Sequence, residues 1–184
     1  MIPLPAGCLN TFKMIRLLQG IITVSLLLVL GGCSVHYSAT GASIEPGAKT
    51  VNVRFIDNRA PINNPTLSQN LTERLRNKVQ SQTKLVQINE EGADYEFKGN
   101  VTGYSFSNAA VTNVDQAASS RLTVTINITF VKRIGDKKGY TQSFTRSADF
   151  PASQLPSAVE NGLLENTILP QIVDDIFNKA FANW

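Results

Sequence analysis

The chain has 184 residues, with seventeen Lys and Arg against fourteen Asp and Glu, two cysteines and one histidine. That length suits one domain, and a hydrophobic content of 42% is too high for a disordered chain. Two cysteines build neither a disulfide framework nor a four-ligand zinc site, and one histidine leaves little for metal or acid–base chemistry, which argues against an enzyme.

The apolar residues crowd the front. Leu17 to Leu30 is a run of fourteen uncharged residues preceded by Lys13 and Arg16. A membrane-spanning helix needs about 20 residues, so this is the apolar stretch of a secretory signal. It ends Leu30-Gly31-Gly32-Cys33-Ser34, which resembles the bacterial lipobox: a branched apolar residue and two small ones before a cysteine. The small residues let the signal peptidase approach the backbone. The Cys33 thiolate accepts a diacylglycerol as a thioether. The processed protein would carry three acyl chains, palmitate among them, so it would be anchored to its membrane rather than span it. Cys8 would leave with residues 1–32. The start is either Met1 or Met14, MIRLLQG being the more compact signal.

Without Lys13 and Arg16 the remaining 152 residues carry fifteen basic and fourteen acidic groups. The net charge falls to +1, and no nucleic-acid argument survives. Ser34, in place of the aspartate that commonly retains lipoproteins in the inner membrane, favours transfer to the outer one. No acidic cluster follows to direct the chain to the cell surface. The expected location is the periplasmic face of the outer membrane.

Residues 33–48 are small and polar and read as a lipidated tether, with His36 exposed in it rather than acting as a ligand. The domain proper follows over 49–184. A first strand is expected at Thr50–Ile56, where Val51, Val53 and Phe55 alternate with Asn52 and Arg54. After the loop from Asp57 to Pro61, Asn64 is placed to cap a helix and Pro65 to open it. Leu67, Leu71, Leu75 and Val79 then recur at steps of four as far as about Thr83, flanked by a solvated face carrying Arg74, Arg76 and Lys78. Leu85–Ile88 is a short second strand, and Gly92 breaks the chain before a third in which Tyr95, Phe97 and Val101 alternate with polar residues. Residues 107–120 read as a long loop of small residues. The clearest strand is Arg121–Lys132, with five apolar residues on one side and Thr123, Thr125, Asn127 and Thr129 on the other. A turn at Gly135–Gly139 leads to a partner strand, Tyr140–Ala148. Pro151 and Pro156 mark a loop. A last helical region, about Ala158 to Ala182, carries Leu164, Ile168, Ile172 and Ile176 on one face, and Pro170 should kink or divide it.

The order is β-α-β-β-β-β-α. Strands with one apolar face and helices with one apolar stripe cover each other as a two-layer α/β sandwich. The expected fold is α+β: a mostly antiparallel sheet of four to five strands covered on one face by two helices.

Several stretches resemble the LptE lipoproteins, especially their Bacteroidetes branch. They are the lipobox and tether, V-N-V-R-F-I-D-N, N-P-T-L-S-Q-N-L-T-E-R-L-R, A-D-Y-E-F-K-G-N-V-T-G-Y-S-F with Gly99 and Tyr104, R-L-T-V-T-I-N-I-T-F, and the terminal I-F-N-K-A-F-A-N-W. The likeness runs from Cys33 to Trp184. It implies a plug within the large β-barrel LptD, the two together inserting lipopolysaccharide into the outer leaflet. A barrel interior is polar, and the Thr/Asn faces here would suit it. Lipid A phosphates would be drawn to Lys132, Arg133, Lys137 and Lys138 around the tight turn and to Arg121 at the far end of its strand. A solvated turn that keeps hairpin edges soluble is the plainer account of each.

An enzyme finds little support. No G-x-S-x-G, H-E-x-x-H or phosphate loop occurs, and the adjacent acids Asp174-Asp175 and Glu90-Glu91 would point about 100° apart on a helix. No metal is expected, and no cofactor beyond the lipid on Cys33. The rival reading is a periplasmic lipoprotein serving another envelope assembly or carrying lipid.

Overall fold

The computed structural model describes residues 43–62, 64–109 and 119–182, together with Gln19. The chain divides between residues 38 and 39, and the fold below belongs to the second part.

The apolar stripes of the sequence become buried seams, except that the first strand stops at Val53 rather than Ile56 and leaves Phe55 54% exposed. The first helix, α1 (Leu67–Gln82), buries Leu67, Leu71, Leu75 and Val79. Asn64 caps it from three residues upstream. Its Oδ1 accepts the N–H groups of Thr66 and Leu67, both at 3.1 Å, so two donors that the helix leaves open are satisfied. The last helical region is two helices, α2 (Pro156–Leu163) and α3 (Leu169–Phe181), joined by a π-helical turn at Leu164–Ile168. Pro170 explains the division. It has no N–H, and its ring would press on the carbonyl four residues back. The turn before it widens so that the Leu169 N–H reaches the Leu164 carbonyl.

The strands are β1 (Thr50–Val53), β2 (Asp57–Asn58), β3 (Val86–Gln87), β4 (Tyr95–Ala109), β5 (Ser119–Lys132) and β6 (Tyr140–Pro151). They form one six-stranded sheet in the order β3-β1-β4-β5-β6, with β2 continuing alongside β4. The sheet is mixed, which corrects the expectation of a mostly antiparallel one. β1 runs parallel to both β3 and β4, and β2 runs parallel to β4. Only the β4–β5 and β5–β6 pairs are antiparallel. The reason is the crossover through α1: a chain that leaves β1, passes along a helix and returns on the same face comes back in the same direction. The short β2 also makes the observed order begin β-β-α rather than β-α.

The third strand reaches Ala109 and the fourth begins at Ser119, so Ser107–Ala109 and Ser119–Ser120 are strand rather than the expected loop. Residues 110–118 of that loop lie outside the described residues. Thr102 is an extra residue in the ladder: Val101 faces Ile126 and Gly103 faces Thr125. This bulge shifts the alternation by one, so Tyr95, Phe97 and Val101 before it and Tyr104 after it all point to the buried face. β6 likewise continues past Ala148 to Pro151.

The core lies between the helices and one face of the sheet, centred on Phe97, Ile126, Ile128, Leu71, Ile168, Ile172 and Phe181, each at most 1% exposed. Ion pairs at the rim tie the helices to one another and to β6. Arg74 meets Glu165, Lys78 meets Asp174 at 2.9 Å, and Arg146 meets Asp175 with two contacts at 2.6 and 2.7 Å.

Candidate functional site

Cys33, Ser34 and His36 lie outside the described residues, as does the whole signal. The part of the expected tether that is described, residues 43–48, is docked on the domain. The Ser43 N–H donates to the Phe181 carbonyl at 2.6 Å, and the Glu45 N–H to the Tyr95 hydroxyl at 3.0 Å. The Glu45 carboxylate takes the Lys132 ammonium at 2.5 Å. Gly135, at φ 66°, makes room for it, since a Cβ there would come within 2.7 Å of that carboxyl. The Asp94 carboxylate accepts the N–H groups of Lys49 and Thr50 at 2.8 and 2.9 Å, bonds that hold its pKa below the usual carboxylate range. The chain thus enters the domain at the end marked by the β5–β6 turn.

That turn gathers four of the five basic candidates. Lys132, Arg133, Lys137 and Lys138 sit at this end, whereas Arg121 lies eleven residues back along β5, about 36 Å away. Most of these charges are already matched. Lys132 holds Asp136 at 2.8 Å as well as Glu45, and the two carboxylates push its pKa up. Arg133 donates to Glu96 and to the Ala93 carbonyl. Arg121 grips Asp149 through two bonds at 2.6 and 2.9 Å. Lys138 is 83% exposed and stands 3.9 Å from Asp136. Lys137 occupies the turn at φ 53° and makes no ion pair among the described residues. Of the five candidates, Lys137 and Lys138 are the two left without a close carboxylate partner.

Glu96 was not foreseen. Alternation places it on the wet face, yet its side chain is 1% exposed, because the segment from Ile88 to Gly92 folds over that part of the sheet and is held there by Asn52, which donates to the Glu90 carbonyl at 3.0 Å. Arg54 and Arg133 reach it from either side. No local signal in the sequence marks this knot, whose members come from three separate segments. A second polar knot joins the buried Asn64 and Tyr104 to Glu160, at 2.6 and 2.5 Å. Burial, with Glu160 beside it, pushes the Tyr104 hydroxyl well above its ordinary pKa.

The face of the sheet opposite the helices carries hydroxyls in register. Thr125 meets Thr145 at 3.0 Å and Thr129 meets Thr141 at 2.9 Å, while Thr123 lies opposite Ser147 and Asn127 opposite Ser143. No charged side chain interrupts this block of eight residues. It can hydrogen-bond broadly without demanding a counter-ion.

Three of the four acids in the adjacent pairs are engaged by cations. Asp174 and Asp175 are taken by Lys78 and Arg146, and Glu91 by Arg54 at 3.2 Å. Among the described residues no cluster of His, Cys, Asp and Glu is arranged to hold a metal, and no helix is long and apolar enough to cross a membrane.

The sequence matches the family described as LptE, lipopolysaccharide-assembly, over residues 48–180. The chain belongs to the LptE family. Its matched segment contains the whole sheet, α1 and α2, and nearly all of α3. No curated protein matches the chain. Among solved structures, it is similar to a protein of Chlamydia trachomatis at 12% identity, covering 74% of this chain and 99% of that one, TM-score 0.49. It is also similar to a minor lipoprotein from Acinetobacter baumannii at 13% identity, covering 72% and 90%, TM-score 0.47. A third is the rare lipoprotein B of Shewanella oneidensis, at 12% identity, covering 71% and 92%, TM-score 0.45.

Proposed function

We propose that this LptE-family protein is a non-catalytic outer-membrane lipoprotein, acylated on Cys33 after loss of residues 1–32. It acts on the periplasmic side as the plug and assembly partner of an LptD-type β-barrel in lipopolysaccharide transport. The family match over residues 48–180 carries the reading. The uncharged block of Thr, Ser and Asn on that face of the sheet supports it, because the interior of such a barrel is polar and water-filled or plugged. In this reading the phosphate contacts to lipopolysaccharide fall to Lys137, which has no ion pair among the described residues, and to Lys138, whose partner Asp136 stands 3.9 Å away, since Lys132, Arg133 and Arg121 hold their carboxylates closely. A lipid carrier would need an apolar cavity between its layers. That space is filled here by Phe97, Phe181, Ile168 and Ile172.

Affinity purification of the tagged protein from intact outer membranes tests the proposal. A stable complex with an LptD-type barrel is expected, and recovery free of any barrel overturns the reading. In the same strain Cys33→Ala should abolish acylation and move the protein out of the detergent phase.

A further inference from the structure

The chain treats the two edges of its sheet differently. On the β1 side, β3 is too short to cover Val53, and side chains do so instead. Gln87 Oε1 accepts the Val53 N–H at 3.4 Å, and the Arg76 guanidinium donates to the Val53 carbonyl at 2.8 and 3.1 Å. The other edge is β6, twelve residues long and paired only with β5. Among the described residues no side chain hydrogen-bonds to its backbone.

A groove of about 560 Å³ runs beside this edge between β6 and α3, lined by Gln142, Phe144, Arg146, Asp175, Asn178 and Lys179 among others. A bare strand edge next to a helix flank is the geometry that accepts an added strand. Main-chain bonds supply affinity and the groove side chains supply selectivity.

Charge decides the occupant. The residues that β6 turns toward the helices are Tyr140, Gln142, Phe144, Arg146, Ala148 and Phe150, and the one charge among them, Arg146, is matched by Asp175. Lys179 lies over the Tyr140 ring at 5.8 Å and makes no ion pair among the described residues. The groove therefore holds one unmatched positive charge. A second copy pairing β6 with β6 would bring an identical groove, whose one unmatched charge is another Lys179. It would add a cation where an anion is wanted.

We infer that β6 and α3 form a strand-addition site for an extended segment of a partner polypeptide, one that sets an acidic side chain beside Lys179. This goes beyond the barrel reading and does not rest on it.

The test uses the full acylated chain in detergent micelles and two synthetic peptides of alternating threonine and valine. One peptide carries a glutamate at its central helix-facing position, the other a lysine. Hydrogen exchange read by mass spectrometry should show the glutamate peptide slowing exchange across Tyr140–Pro151, with the lysine peptide binding at least about tenfold more weakly. Lys179→Glu, an exposed change, should reverse that preference. Binding without protection of β6, a preference that Lys179→Glu leaves unchanged, or no binding of the glutamate peptide would each overturn the inference. So would β6 protection that rises with protein concentration in the absence of peptide, which would identify a second copy as the occupant.

Discussion

Glu96 is a carboxylate that the fold removes from water and then compensates. Burial alone would raise its pKa, but hydrogen bonds and charge from Arg133 and Arg54 outweigh that penalty and leave it lowered. A carboxyl with a depressed pKa in the fold contributes stability above its unfolded value of about 4.3, and that contribution is lost as pH falls through the folded value. Glu96→Gln should therefore cost about 2 kcal/mol at pH 7. That is less than a fully buried pair would lose, because the two arginines are 42% and 40% exposed. Urea unfolding of both proteins should show the gap closing below about pH 4, and a gap independent of pH would mean that the charge is not what matters. The residues of this knot were legible one at a time as polar strand and turn residues. Their meeting was not, since Arg54 and Arg133 lie far from Glu96 in sequence and are brought to it by the register of three strands.

The elements that could be read directly are those whose periodicity is unbroken. β5 keeps strict alternation, and both helical stripes keep steps of four, so their buried faces follow from the sequence alone. Alternation marks only the first half of β4, because Thr102 shifts it. Strand direction was missed for a different reason. Alternation records which side of a strand is apolar, not which neighbour it has, and β1 pairs with residues more than thirty positions away. Close packing within the β4–β5 pair makes its own demand. At Gly99 a Cβ would stand 2.1 Å from the Asn127 carbonyl oxygen, whereas at Gly162 in α2 nothing lies within 4 Å. Gly99→Ala should thus destabilise by about 3 kcal/mol through forced movement of β5. Gly162→Ala should stabilise by about 0.5–1 kcal/mol through helix propensity. Denaturant midpoints of the two variants would move in opposite directions.

At the scale of the whole molecule, Phe181 brings the last helix, the sheet and the entering segment together. Its ring packs against Tyr95 and Phe97 of β4, Phe130 of β5 and Phe177 of α3, and its carbonyl receives the Ser43 N–H. Phe181→Ala should cost about 3–5 kcal/mol and loosen residues 43–48. Limited proteolysis should then cut near Ser43 before it cuts within β4–β6, and an unaltered cleavage pattern would show that the entering segment is held by Glu45 and Asp94 alone. Little of this docking was legible beforehand, because residues 43–48 are small and polar and carry no periodic signal. The position of β1 has a further consequence. Among the described strands it is the first to be synthesised, yet it is seated between two strands that follow it, and the second of these arrives about forty residues later. Val51 and Val53 therefore spend the early life of the nascent chain without a seat. Any pause in synthesis prolongs that wait, so the front of this domain needs an escort, or speed, more than its back does.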